Sequence, residues 1–151
     1  MRLSKITLEI ITALLIFLFI YTGLNKMLDY SKFAFTLGRS PFIQPMAGFI
    51  AATLPAGELI LALLLVFKRT RLLGLYASFF LMLLFTGYIA LMLLYAYDLP
   101  CSCGGVLAAL SWPNHLIFNI FFTILSLIGI ILQSRISQPP SLNKMTLELG
   151  T

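Results

Sequence analysis

The chain has 151 residues, of which 60% are hydrophobic and only 10% charged, and its mean hydropathy of +1.02 exceeds what a water-soluble fold of one domain can hide. Its formal charge of +5 and pI near 9.5 fall at the ends of apolar runs and form no basic patch with interleaved aromatics, which argues against nucleic acid as a partner. The remaining polar sequence makes short connections and a tail, so no separate soluble domain fits, and the expected fold is an all-α, four-helix bundle in the lipid bilayer.

A hydrocarbon core of roughly 30 Å takes about 20 helical residues, and four apolar runs supply them: Ile6 to Leu28, Pro45 to Phe67, Leu72 to Tyr97 and Asn114 to Gln133. Residues 1–133 are therefore expected to form the transmembrane domain, and 134–151, with Pro139-Pro140 and no apolar period, a disordered cytoplasmic tail. Arg2 and Lys5 ahead of the first run imitate a signal peptide. Its length, the lack of a small-x-small cleavage site and its Asn25-Lys26 end instead predict a retained helix. Glu9 is expected to pair with Lys5, one helical turn away, and Lys26 stands at the same kind of spacing from Asp29. Lys26 could also reach Glu58, although its place near the end of the first helix and Glu58's near the middle of the second weigh against a direct bond.

Along the second run, Gly48, Ala52 and Ala56 form a small-residue ladder that predicts close approach of a neighbouring helix. Pro55 predicts a bend that frees the carbonyl of Ala51. Glu58 is costly at this depth, so it must face the interior or be protonated, and helix glue and proton handling are both open to it. Lys68, Arg69 and Arg71 follow before the third run, and Arg135 and Lys144 follow the fourth. With Arg2 and Lys5 they predict cytoplasmic termini and an outward-facing loop from Asp98 to Pro113, which has no Lys or Arg.

That loop holds the only two cysteines, in Pro100-Cys101-Ser102-Cys103-Gly104-Gly105. In an oxidising compartment such thiols tend to pair. A disulfide across one residue closes a very small ring, stabilises the fold little and is readily exchanged. Three readings stay open: a redox-active dithiol, a metal site, or cysteines that are merely accessible or structurally bonded. A metal would need more ligands than the single histidine, His115, can add. In the fourth run, Trp112 suits the membrane interface, Asn114 is a candidate cap, and His115, Asn119, Thr123 and Ser126 share one face. Such a stripe usually cements helices. His115 near the helix mouth is also a candidate to favour a cysteine thiolate.

Four segments together resemble the MauE branch of the DoxX-like membrane proteins. They are Asn25-Lys26-Met27-Leu28-Asp29-Tyr30 with Phe33 and Ala34, Leu54-Pro55-Ala56-Gly57-Glu58-Leu59, Arg71-Leu72-Leu73-Gly74, and Cys101-Ser102-Cys103-Gly104-Gly105 with Trp112 and Asn119. The resemblance runs from the first helix through the fourth. It implies redox-associated work in a bacterial inner membrane, since the family is linked to maturation of methylamine dehydrogenase, whose small subunit is rich in disulfides. Ser102 and the double glycine depart from the commoner Cys-Gly-Cys-Phe-Gly form, which suggests other client proteins.

The function expected from the sequence is therefore thiol-disulfide exchange, as a possible oxidoreductase, through Cys101 and Cys103 on the periplasmic side. Its partner would be an exported client or a thioredoxin-like protein, with Lys26, Asp29, Glu58, His115 and Asn119 in support. A quinone is one acceptor in keeping with other four-helix thiol oxidases, though the sequence marks no quinone site. The alternatives are a non-catalytic assembly scaffold, or small-molecule or metal-ion handling through the bundle.

Overall fold

The computed structural model describes residues 2–40, 42–95, 111–137 and 150. Five α-helices lie among them: α1 (Arg2–Leu28), α2 (Tyr30–Gly38), α3 (Ala47–Val66), α4 (Arg71–Tyr95) and α5 (Trp112–Ser137), with a 3-10 turn at Gln44–Met46 leading into α3. Helices α1, α4, α5 and the continuous Gln44–Val66 segment are each long and apolar enough to cross a membrane. The four expected spans are therefore present, and α2 is an additional short helix between the first two. The expected disordered tail lies outside the described residues from 138 to 149, while its first four positions continue α5. Asn114 does not cap α5, which starts two residues earlier. Pro113 occupies its first turn, where a missing N–H costs nothing, and the carbonyl of Ser111 accepts from the N–H of His115 at 2.9 Å.

The spanning helices close a ring in which α1 packs on α3, α3 on α4, α4 on α5, and α5 back on α1. The core between them is built from Leu8, Ile11, Leu15 and Phe19 of α1, Leu61 and Leu65 of α3, Leu75 of α4, and Phe122 and Ile130 of α5. Helix α2 covers α3 through a smaller cluster of Phe33, Leu37, Ala47 and Ala51. Large apolar side chains such as Phe17, Phe49, Leu84 and Leu94 point outward, while Thr12, Ser78 and Ser126 are buried. This distribution suits a bilayer, where the outer surface needs no polar groups and interior ones must bond within the protein. The three hydroxyls do so by donating to carbonyls one turn back, Leu8, Gly74 and Phe122, at 2.7, 2.6 and 2.8 Å.

Two expectations about helix contacts are corrected. Gly48, Ala52 and Ala56 face outward, and a Cβ added at Gly48 would meet nothing within 4 Å. Close approach occurs instead at Gly74, where an added Cβ would lie 3.2 Å from the backbone nitrogen of Leu65. It also occurs at Gly23, where one would lie 3.4 Å from the Pro55 carbonyl. Spacing alone marks a face of small residues, but rotation of α3 in the ring determines where that face points.

Glu9 does not pair with Lys5. Its carboxylate accepts from Arg71 at the start of α4, at 2.8 and 3.5 Å. Arg71 also donates through Nε to the Leu65 carbonyl at 3.4 Å, and Thr70 donates to the Leu64 carbonyl at 2.8 Å. Together they occupy carbonyls that the end of α3 leaves without helical partners. A guanidinium that is already buried against this turn offers a fixed fork for a carboxylate, whereas an exposed Lys5 would lose side-chain freedom on pairing.

Candidate functional site

The end of the bundle opposite the Thr70–Arg71 turn contains the other ion pair of the described residues, between Lys26 and Glu58. At about 1.5 Å per helical residue, Lys26 lies roughly 3 Å from the end of α1 and Glu58 roughly 16 Å from the start of α3. They meet because α1 stops well short of the start of α3, and α2 covers the remaining length of α3. Lys26 is accordingly buried rather than at the rim. Its Nζ donates to Glu58 Oε1 at 2.5 Å and lies 5.6 and 5.1 Å from the centres of the Phe33 and Phe85 rings. Two ring faces and a carboxylate thus replace water around the ammonium. Asp29 takes no part in this pairing: it is exposed at the α1–α2 junction, where its carbonyl accepts from the N–H of Phe33 at 2.9 Å.

Glu58 is 1% exposed. Its second oxygen, Oε2, has no hydrogen-bond partner among the described residues. Thr22 lies beside the carboxylate, with its hydroxyl donating to the Leu18 carbonyl at 2.9 Å. A buried acceptor left without a donor is costly in so apolar a setting, and few such groups persist without a purpose.

The pair borders a cavity of about 410 Å³. Its walls are mostly apolar, with Phe19 from α1, Phe33 from α2, Leu54 from α3, Phe85 from α4 and Phe118 from α5. Polar groups enter from four helices: Thr22 and Lys26 from α1, Glu58 from α3, Tyr88 from α4, and His115 with Asn119 from α5. The latter two lie one turn apart on α5 and are both buried. Two members of their stripe do other work: Thr123 lies 3.3 Å from Thr86 across the α4–α5 contact, and Ser126 bonds within its own helix. Leu84 lines the cavity and is 70% exposed on the outside of the bundle, so the cavity lining reaches the apolar outer surface at α4. At the top, buried Ser40 holds the segment after α2 against α4 through a 2.7 Å bond to the Tyr88 hydroxyl.

The structure therefore brings Lys26, Glu58, His115 and Asn119 to one site and leaves Asp29 outside it. Cys101 and Cys103 lie outside the described residues, in the connection from Tyr95 to Ser111. That connection joins the ends of α4 and α5 nearest His115. Thr22, Phe85 and Tyr88 also border the cavity and were not singled out by sequence. The available signal was the spacing of Leu81, Phe85 and Tyr88 along one face of α4, which reads equally as packing.

A family model described as methylamine utilisation protein MauE matches residues 4–132. No curated protein and no solved structure matches the chain.

Proposed function

The chain belongs to the MauE family, and on that premise we propose that it exchanges disulfides with exported proteins through Cys101 and Cys103, on the periplasmic side of a bacterial inner membrane. The observation that carries the reading is the placement of the only two cysteines. They stand one residue apart in the sequence that connects α4 to α5, and the helix ends that this sequence joins are those nearest His115, which lines the cavity. The basic residues Lys68, Arg69 and Arg71 occupy the opposite end, which supports an outward position for the cysteines.

In the exchange, a client thiolate attacks one sulfur of the Cys101–Cys103 disulfide and the other sulfur leaves as a thiolate. A second client thiolate then attacks the client sulfur of the mixed disulfide. The client gains a disulfide, and the membrane protein is left as the dithiol. A single-cysteine variant has no internal disulfide to offer, but its remaining thiolate can attack the disulfide of an oxidised client, the reverse of the second step. The mixed disulfide so formed has no second protein thiol to carry it on to a Cys101–Cys103 disulfide. Acid quenching and alkylation of cells carrying Cys101→Ser or Cys103→Ser should yield a reducible adduct for one variant and none for the double variant. If both single variants give no adduct while client maturation proceeds normally in the double variant, the protein acts without its cysteines, as an assembly scaffold.

A further inference from the structure

The cavity limits what can occupy it. A ligand arriving past Leu84 comes from the bilayer and must be lipid-soluble. The aromatic walls offered by Phe19, Phe85 and Phe118 suit a flat ring, and about 410 Å³ is within the usual range of roughly 300–1,000 Å³ for small-molecule sites. The polar end is more selective. Lys26 has three donors and directs one to Glu58 Oε1, while Glu58 Oε2 is an acceptor without a donor among the described residues. An anionic head group, whether fatty acid or phospholipid, would place its charge against Glu58. A neutral ring bearing carbonyls can take a hydrogen bond from the ammonium, and a ring bearing hydroxyls can give one to the carboxylate.

We propose that this cavity binds a lipid-soluble quinone, with a carbonyl oxygen on Lys26 and a hydroxyl of the reduced form on Glu58 Oε2. The same two side chains then serve both redox states, and the isoprenoid tail leaves past Leu84 into lipid. The biological use of this site rests on the exchange reading above. Oxidation of the Cys101–Cys103 dithiol to the disulfide releases two electrons and two protons, and these convert one quinone to its quinol.

The test uses the full-length protein in lipid nanodiscs stripped of endogenous quinone. Trp112 is the only tryptophan, and its ring centre lies 6.5 Å from that of His115, so its fluorescence reports on the His115 side of the cavity. Ubiquinone-1 should quench it saturably. Losing a hydrogen bond to a charged group should raise Kd about tenfold or more for ubiquinone-1 in Lys26→Met and for ubiquinol-1 in Glu58→Gln. Leu84→Trp, made in a Trp112→Phe background, alters an exposed position and should fold. It should give saturable quenching of its own tryptophan, as expected of a portal. Oleate and phosphatidylglycerol should not compete. Quenching that rises linearly in the wild type, equal Kd values in folded variants, or equal competition by oleate would overturn the proposal. The Cys101→Ser, Cys103→Ser protein should still bind. Binding without any mixed disulfide would therefore sink the exchange reading alone, and mixed disulfides without saturable binding would sink the quinone alone.

Discussion

Lys26 and Glu58 carry opposite charges where neither can be hydrated, so each depends on the other. The bond to Oε1 and the two flanking rings compensate the ammonium, but removing the lysine would leave a buried carboxylate with no cation. Lys26→Met should therefore lower unfolding stability in micelles by about 3–5 kcal/mol, whereas Lys26→Met with Glu58→Leu should recover most of that loss, because a matched apolar pair leaves nothing to solvate. A single variant no worse than exposed Lys32→Met would mean that the pair contributes nothing to the fold. Glu58 was recognisable in the sequence as an intramembrane charge needing a partner, and Lys26 as a charge near the end of the first helix. Their meeting was not, because the depth of Lys26 depends on where α1 ends relative to α3, and no local pattern records that offset.

At the level of helices, two glycines separate apparent from actual packing. Gly48 belongs to the small-residue ladder, yet an added methyl there meets open space, whereas at Gly74 it meets the backbone of α3. Backbone cannot rotate aside as a flexible side chain can. Gly74→Ala should cost about 1–3 kcal/mol through overpacking, and Gly48→Ala should be neutral or slightly stabilising through helix propensity. Thermal unfolding of the two variants side by side checks the ranking, and equal losses would refute the assigned rotation of α3. The four spans were legible because each is a contiguous apolar run. Helix α2 was harder to read, with nine residues that include exposed Phe35 beside buried Phe33 and Leu37. It is held chiefly by packing on α3.

For the whole molecule, the ring of four spanning helices puts the Lys68–Arg69 turn and the α4–α5 connection at opposite ends. In intact cells, a membrane-impermeant maleimide should label Cys101 and Cys103 only after reduction. It should not label Arg69→Cys in a chain whose own cysteines are serine. Labelling of Arg69→Cys without permeabilisation, with the native cysteines protected, would invert the proposed topology and remove the periplasmic disulfide from the mechanism.

By itself the sequence determined that this is a multi-pass membrane protein, how many times it can cross and which family it resembles. Hydropathy, charge bias and motif order are sums over neighbouring residues and need no knowledge of the fold. Only the tertiary structure decided that Lys26 holds Glu58, that Glu9 is taken by Arg71 rather than Lys5, that the α3 ladder faces outward, and that His115 and Asn119 border the same cavity as the buried pair. Each of these depends on the offset and rotation of one helix against another, which close packing around Gly23, Gly74 and the apolar core sets and which no single segment encodes.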